Sequence, residues 1–461
     1  MRKWLSLLLA LTLVLVCLVA PASAVGTHQF TVVFKAATLP ADAAEMVAAA
    51  GGQVVAAIPE IGVMVVSGPS GLIGALGAHQ AVQVIGPTLT VKLAPVQMIE
   101  ANDAVDAAGV TPDLYNRYQW DIKQVTNEGA SWALSSGSHN TVVAVLDTGI
   151  STTHPALRAN LLGGRNFVPD GPGGTVDPND IEDRHGHGSH CAGAIAGNGR
   201  ILGVGPNLGV RAYRVLGADG SGSSAGILQA IVAATNDGVD VISMSLSGFY
   251  GIGMYTWTDP ETGEVYKFHD VADFVAYKRA IEYANKNGVV VVAAAGNDAT
   301  NIANPKAISE LLNSEYGAYG YNFQGASQIL PAKLPGVVTV SATGPDMSPS
   351  SYTNYGSGAI DVSAPGGDFK RYPIGDWYTD MCLSAYKGTG YIWMAGTSMA
   401  TPKVAGVAAV VIDQAKANGQ KLTVSQVFAK LQRTAVDLGK PGYDMWYGQG
   451  MVNAYQALGG K

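Results

Sequence analysis

Six apolar runs follow one another from Thr141 onward, and each is too continuous for a strand that is buried on only one face. The runs are TVVAVLD, VRAYRVLG, VDVISMSLS, VVVVAAAGN, VVTVSAT and IDVSAPG. Parallel strands with helices on both faces have this composition. The helical segments SSAGILQAIVAATNDG and ADFVAYKRAIEYANKNG lie between runs. The alternation predicts an α/β fold, a doubly wound and mostly parallel sheet flanked by helices, with its functional site at the carboxyl ends of the strands.

The composition agrees with a compact chain that buries a large core. Of its 461 residues, 48% are hydrophobic and only 14% are charged, which argues against intrinsic disorder. The formal net charge is −7 and no basic run is present. We therefore expect no nucleic-acid partner.

The N-terminus has the pattern of a secretory signal peptide, predicted at residues 1–24. Arg2 and Lys3 precede an apolar stretch from Leu5 to Val19, and Ala22-Ser23-Ala24 has the small residues of a cleavage site. An uncleaved membrane anchor is the alternative, but the apolar stretch is short for a span and ends at Pro21. The pattern predicts a secreted, extracellular protein that has no membrane partner after cleavage.

The next segment, residues 25–93, has the periodicity of a separate small domain. The runs FTVVFK, QVVAAI, VMVVSG and AVQVIGPTLTV read as strands, and ADAAEMVAAAGG and GLIGALGAHQ read as helices. The order β-α-β-β-α-β predicts a small α+β unit of the ferredoxin-like type. Residues 94–117 have no clear period and read as a linker, which leaves residues 118–461 for the α/β domain.

Three polar residues in segments rich in small side chains suggest nucleophilic catalysis. They are Asp147 in VLDTGIS, His187 in HGHGSHCAG and Ser398 in AGTSMATP. A serine hydroxyl becomes a good nucleophile when a histidine takes its proton, and a carboxylate fixes the tautomer of that histidine. The apolar stretch after Pro402 predicts a buried helix whose N-terminus, beside Ser398, stabilises a developing oxyanion.

Each of these residues also has a simpler explanation. The triplet Asp-Thr-Gly occurs in aspartic proteases, but those need two facing copies and this chain has one. His185, His187 and His190 have a spacing that metal sites use, and the residues alone leave that alternative open. A serine at a helix start is usually only a cap.

Taken together, the three segments resemble those of the subtilisin-like serine proteases, the subtilase family. The resemblance implies an endopeptidase with Asp147, His187 and Ser398 as its triad, and with Asn297 and the Ser398 N–H as its oxyanion hole. It also implies that residues 25–93 are a propeptide that assists folding and inhibits the enzyme as an intramolecular partner. Cleavage of this preproprotein would then fall within residues 94–117.

The resemblance further assigns two substrate-binding segments. One is Ser245-Leu246-Ser247-Gly248, which pairs with an extended substrate and has a serine where the family usually has glycine. The other is Ala293-Ala294-Ala295-Gly296, a small apolar wall that leaves room for a large apolar or aromatic side chain. The substrates are expected to be proteins or peptides, and the enzyme is expected to act as a monomer.

The chain departs from the family at its usual strong calcium site. Ala156 stands where a carboxylate ligand is expected, and the loop between Gly193 and Gly203 has Asn198 as its only side-chain oxygen donor. We expect that site to be absent and no cofactor to be required for the chemistry. A different structural calcium site built from Asp177, Asp180, Glu182 or Asp183 stays open.

Several smaller features complete the sequence-based predictions. Lys403 replaces a histidine common in the family, and we expect little consequence. Cys191 and Cys382 are expected to be buried free thiols rather than a bridge. Two long segments, 249–273 and 298–330, either rim the cleft or decorate the surface. A narrow-specificity processing protease and a non-catalytic peptide-binding relative are the alternative functions.

Overall fold

The computed structural model describes residues 28–93, 97–100, 113–169 and 175–461. The predicted signal peptide lies outside these residues, so the prediction stands untested. Among the described helices, none is both long and apolar enough to cross a membrane.

The N-terminal unit, residues 28–87, has the predicted order of elements. The elements are β1 His28–Phe34, α1 Ala43–Ala49, β2 Gln53–Ile58, β3 Val63–Gly68, α2 Leu72–Gly77 and β4 Val82–Pro87. The strands form one antiparallel sheet in the order β2-β3-β1-β4. The inner residues of β1, such as Phe30 and Val32, are fully buried. This is the ferredoxin-like arrangement that the sequence predicted.

The segment that joins the two units contains regular structure that the sequence analysis missed. The run AVQVIGPTLTV is not one strand, because β4 ends at Pro87 and β5 Thr90–Lys92 joins a different sheet. The predicted linker includes β6 Gln97–Glu100 and most of helix α3 Asp113–Tyr118. Both short strands pair with distant residues of the α/β domain, so no local period reveals them.

The α/β domain is built on the predicted parallel sheet. Its elements are α4 Trp120–Thr126, β7 Val142–Asp147, β8 Leu161–Asn166, α5 His187–Ala196, β9 Gly209–Arg214, β10 Ser221–Ser223, α6 Ser224–Asn236, β11 Val241–Met244, β12 Gly248–Gly251, β13 Tyr255–Thr258, β14 Val265–Phe268, α7 Ala272–Lys286, β15 Val290–Ala294, α8 Pro305–Tyr316, β16 Tyr321–Phe323, β17 Ser327–Leu330, β18 Val337–Thr343, β19 Val362–Pro365, β20 Cys382–Ala385, β21 Tyr391–Ala395, α9 Thr397–Ala417, α10 Val424–Arg433 and α11 Ala454–Ala457. Seven strands form the sheet, in the order β19-β18-β15-β11-β7-β9-β8, and all neighbours are parallel.

Helices cover both faces of this sheet and explain why its strands are apolar throughout. On one face, α9 packs across β11, β15, β18 and β19 and also contacts α5. On the other face lie α6, whose first turn is capped by the Ser223 hydroxyl, and α7. Every residue of β15 and β18 is buried. The carboxyl ends of β7, β11 and β15 therefore meet at one edge, as in other doubly wound sheets.

The two long segments that the sequence set apart both contact residues that precede the α/β domain. The predicted hairpin is present as β13 and β14, and β16 adds a third strand. Its Trp257 ring stands edge-on to the His28 and Phe30 rings at 5.1 and 6.2 Å between centroids. From α8, Tyr316 donates a hydrogen bond to the Thr90 carbonyl at 3.1 Å. These segments therefore do more than decorate the surface.

Helix α7 forms the polar part of the contact between the two units. Asp273 is fully buried and accepts hydrogen bonds from Thr31 Oγ1 at 2.6 Å and from Leu89 N at 3.0 Å. Burial raises the pKa of Asp273, and these donors offset only part of that effect. Arg279 donates to the Ile61 carbonyl at 2.9 Å, on the same face. A carboxylate in this position stabilises the contact only while its donors are in place.

We expect Thr31→Val to destabilise the intact chain by about 1–3 kcal/mol, because the buried Asp273 carboxylate loses a donor that no water can replace. Urea unfolding measures the change, in a chain that also carries Ser398→Ala so that self-processing does not intervene. Glu60→Ala is the matched control, since it removes an exposed hydrogen bond to Asn236 in the same interface and should cost less than about 0.5 kcal/mol. Equal effects of the two changes would contradict the role given to Asp273.

Candidate active site

Asp147 and His187 meet at the carboxyl end of β7. Asp147 is the last residue of the strand and His187 the first residue of α5. Asp147 Oδ1 lies 2.7 Å from His187 Nδ1 and also accepts from Thr148 N at 2.8 Å. Both side chains are fully buried. The hydrogen bond fixes the tautomer of His187, so Nδ1 carries a proton and Nε2 can act as the base.

The charge of Asp147 sets the proton affinity of His187. Burial disfavours the imidazolium ion, but the adjacent Asp147 carboxylate, together with Cys191, outweighs burial and raises the pKa of His187 well above its ordinary value. An imidazole that gains a proton in a reaction is therefore stabilised here. This is the electrostatic property that a general base needs.

Asp183 holds the loop that leads to His187. Its carboxylate accepts from the backbone N–H groups of His185, Gly186 and Ser189 at 2.7 to 3.0 Å, and from Thr148 Oγ1 at 2.9 Å. Asp183 was considered above only as a calcium ligand. Its oxygens are instead used to join the Asp147 and His187 segments.

Ser398 lies in the first turn of the buried helix α9, as predicted. Its Oγ donates to the Ser245 carbonyl at 3.0 Å, while Ser245 Oγ donates to the Ser398 carbonyl at 2.8 Å. Pro402 has no N–H for the Ser398 carbonyl, which is why this carbonyl takes a side-chain donor. Among the described residues, His187 Nε2 has no hydrogen-bond partner. A rotation of the Ser398 side chain is therefore needed before its proton can pass to His187, and such looser geometry is common without substrate.

Asn297 follows β15 and turns towards the start of α9. Its Oδ1 accepts from Thr397 N at 2.9 Å and from Thr397 Oγ1 at 2.8 Å. With the oxygen fixed on Thr397, the amide presents its NH₂ group on its other side. Asn297 and the N-terminus of α9 thus place two kinds of N–H donor next to Ser398.

The two predicted substrate-binding segments lie at the ends of the neighbouring strands. Ser245 to Ser247 connect β11 with β12, and Gly248 begins β12. Ala293 and Ala294 end β15, and Ala295 and Gly296 follow it. Gly296 has φ of +95°, and a Cβ there would lie 2.4 Å from Asn354 Nδ2, so only glycine fits. The structure brings both segments to the edge that holds Asp147 and Ser398.

His190, three residues after His187, turns to a partner of its own. His190 Nε2 donates to the Cys382 carbonyl at 2.9 Å, and burial lowers the pKa of His190 to about 3. Within the described ranges, the one group of three metal-ligating side chains whose donor atoms lie within 4.8 Å of one another is Asp147, His187 and Cys191. Two of these are already engaged with each other, so the arrangement fits proton transfer better than metal binding.

The calcium prediction stays a prediction. Ala156 is buried and packs beside Gly199, and Asn198 donates through its amide nitrogen to the Pro206 carbonyl at 2.9 Å. The alternative acidic residues turn to different partners. Asp180 pairs with Arg184 and Arg214, whereas Glu182 accepts from Thr152.

Both cysteines of the described chain are buried free thiols, in agreement with the sequence-based expectation. Cys191 Sγ lies 3.9 Å from His187 Nδ1 and 3.5 Å from the Ser398 carbonyl. Cys382 Sγ lies 3.5 Å from Lys403 Nζ.

Strands from the joining segment enter this site from two sides. On one side β5 pairs antiparallel with β10, and Leu93 N donates to the Gly220 carbonyl at 2.9 Å, close to His185. On the other side β6 pairs antiparallel with β21, with Gln97 opposite Ala395. Ala395 precedes Ser398 by only three residues. Extended backbone of the chain itself therefore lies along strands on both sides of the site.

Comparison with known proteins agrees with this geometry. Residues 138–450 match the family model described as "Subtilase family". The epidermin leader peptide-processing serine protease EpiP of Staphylococcus epidermidis is 30% identical over 83% of this chain and 82% of its own length. The nisin leader peptide-processing serine protease NisP of Lactococcus lactis is 34% identical over 73% of this chain, which spans half of that protein.

Solved structures extend the likeness to the whole fold. The crystal structure of EpiP from Staphylococcus aureus superimposes with a TM-score of 0.76 at 28% identity, covering 94% of this chain and 98% of that one. The structure of NisP from Lactococcus lactis gives a TM-score of 0.63 at 31% identity, over 76% of this chain and 96% of that one. The chain therefore belongs to the subtilase family. It is a serine-type endopeptidase, and its substrates are peptides.

Titration of the histidine ring resonances by NMR tests the electrostatics of the site. We expect a pKa above about 6.5 for His187 and a lower value in Asp147→Asn, because burial then acts without the opposing carboxylate. His190 is the internal control and should stay neutral from pH 5 to 9, because its pKa is about 3. A His187 pKa that does not respond to Asp147→Asn would rule out this account.

Proposed function

We propose that this protein is a secreted serine endopeptidase, made as a preproprotein, with Asp147, His187 and Ser398 as its catalytic triad. The observation that carries the proposal is the buried pair of Asp147 and His187 at the strand end that also receives Ser398 from the N-terminus of α9. Secretion rests on the signal pattern of residues 1–24.

The reaction follows the usual two steps of acyl transfer. Ser398 Oγ leaves the Ser245 carbonyl, passes its proton to His187 Nε2 and attacks the peptide carbonyl. His187 then gives the proton to the leaving amine, and Asp147 stabilises the imidazolium in between. A water molecule, deprotonated by His187, releases the acyl group from Ser398.

The negative charge of the tetrahedral intermediate is stabilised by two donors. They are the Asn297 side-chain NH₂ and the Ser398 backbone N–H at the positive end of α9. Thr397 supports this arrangement because it fixes the Asn297 oxygen. The small wall of Ala293 to Gly296 and the segment Ser245 to Gly248 receive the substrate chain.

We further propose that residues 25–93 act as an intramolecular inhibitor and that Ser398 cleaves the chain within residues 94–117. The pairing of β5 with β10 and of β6 with β21 supports this, because both are extended strands of the kind that a peptide substrate forms at a sheet edge. The contacts of α7, α8 and the hairpin with residues 28–90 would keep the inhibitor bound until cleavage.

Intact mass of the secreted products tests self-processing. We expect the wild-type chain to begin within residues 94–117 and Ser398→Ala to retain residues 25–93, because only Ser398 supplies the nucleophile. Ser357→Ala, at an exposed position, is the matched control and should mature normally. Maturation of Ser398→Ala to the same mass would assign processing to another protease and would disprove this part of the proposal.

Steady-state kinetics of Asn297→Ala test the oxyanion hole. We expect kcat to fall about 10²- to 10³-fold with little change in KM, the loss known for one donor of this kind in subtilisin itself. The donor acts in the transition state, so substrate binding should be spared. Asp298→Asn, next in sequence but turned to Asn354, serves as the control. An unchanged kcat in Asn297→Ala would remove Asn297 from the catalytic machinery.

A processing protease of narrow specificity is the second candidate. Its support is that EpiP and NisP are named as leader peptide-processing proteases. The hydrogen bond from Tyr316 of α8 to the Thr90 carbonyl of β5 supports a role for α8 in the choice of an extended chain. Cleavage of a peptide library separates the two candidates, since a narrow enzyme selects few sequences and a degradative enzyme selects many.

A further inference from the structure

A second buried pair of opposite charges lies beneath the nucleophile helix. Lys403 of α9 is fully buried, and its Nζ lies 2.7 Å from Asp121 Oδ2 of α4, which is only 2% exposed. Burial would lower the pKa of Lys403, but the Asp121 carboxylate, together with Cys382, outweighs burial and raises the pKa. The lysine is therefore a charged ammonium group in the core. Buried ion pairs contribute little net stability. Stability alone therefore does not explain this pair, and its position in the fold indicates what else it does.

Lys403 also acts on the turn that carries Ser398. Its Nζ donates to the carbonyl of Met399, the residue after Ser398, at 3.0 Å. Pro402 has already removed one internal hydrogen bond from the start of the helix. The carbonyls of Ser398 and Met399 are thus held by side chains, Ser245 for the first and Lys403 for the second. The geometry of the first turn therefore depends on where the Lys403 ammonium is placed.

Asp121, the partner of Lys403, belongs to a short segment, residues 119–121, that hydrogen-bonds to several elements around the site. Gln119 donates to the Leu383 carbonyl at 3.3 Å, and Trp120 donates through its indole to the Met381 carbonyl at 3.2 Å. These carbonyls flank Cys382, whose own carbonyl binds His190 of α5. Residues 119–121 therefore contact β20 and α9 directly and reach the helix of His187 through β20.

We propose that Asp121 and Lys403 form a positioning pair that sets the first turn of α9, and with it Ser398 and the oxyanion-hole N–H, for catalysis. The inference rests on the proposed function of Ser398. It predicts that the pair contributes to turnover rather than to substrate binding, because neither side chain touches the cleft. The proposal differs from the sequence-based expectation that lysine in place of histidine at position 403 has little consequence.

The test uses the mature enzyme and three variants: Lys403→Met, Asp121→Leu and the two combined. Each single change leaves one charge buried without a partner, so the melting temperature should fall; the double variant should recover it, because no charge remains. Turnover is counted per active site titrated with a fluorophosphonate. We expect kcat to fall about tenfold in all three, with KM within about twofold of wild type.

The double variant decides between positioning and stability alone. If it recovers both melting temperature and kcat, the pair is only structural and the proposal is wrong. If it recovers melting temperature while kcat stays low, the proposal holds. Because turnover is counted per titrated active site, the two single variants remain informative even when only part of the sample is folded.

A matched control comes from an ion pair at the other end of α9. Lys416, in the last turn of the helix, pairs with Asp240 at 2.6 Å. Lys416→Met should leave kcat within about twofold of wild type, and an equal loss there would contradict a specific role for the pair of Lys403 and Asp121. Failure of the fluorophosphonate to label wild-type Ser398 would instead disprove the proposed function itself, so the two failures are distinguishable.

Discussion

The burial of helix α9 against the parallel sheet is the constraint on which the site depends. Every residue from Thr397 to Asp413 is buried, so each polar group in this stretch needs a partner inside the protein. Thr397 bonds to Asn297, Ser398 to Ser245 and Lys403 to Asp121. Because these polar groups must be paired, the Asn297 amide and the Ser245 hydroxyl lie beside the nucleophile, and the Asp121 carboxylate lies beneath its helix.

Two buried basic side chains are each stabilised by one carboxylate, but they use their remaining nitrogen atoms or protons differently. His187 and Lys403 are both fully buried, and each is kept close to one carboxylate, Asp147 or Asp121. His187 leaves its second nitrogen facing the site, where it can exchange a proton. Lys403 uses its remaining donors on Met399 and Cys382, so it is suited to holding structure rather than to moving protons.

Local patterns predicted those parts of the fold that local burial determines. The apolar runs became the parallel strands, and Asp147, Ser245 and Asn297 lie at or after strand ends because strands of a parallel sheet point the same way. The pairing of β6 with β21 joins residues nearly three hundred positions apart, and no short window contains that information. The partner of Lys403 was missed for the same reason. A lysine within an apolar helix predicts a buried carboxylate partner but does not identify that partner.

The N-terminal unit makes contacts with the α/β domain that an ordinary peptide substrate could not make. Asp273 binds both Thr31 and Leu89, and Trp257 packs on the rings of β1, so these contacts are made by the folded unit and not by an extended peptide. Contacts near the cleft, such as Leu93 to Gly220, use only backbone atoms that any peptide possesses. Selectivity for the intact precursor would therefore come from α7 and the hairpin, whereas the strand pairing at β10 and β21 would be shared with substrates. A cut in the joining segment, as proposed above, would separate the two sets of contacts, since a tethered partner binds at a far higher effective concentration than a free one.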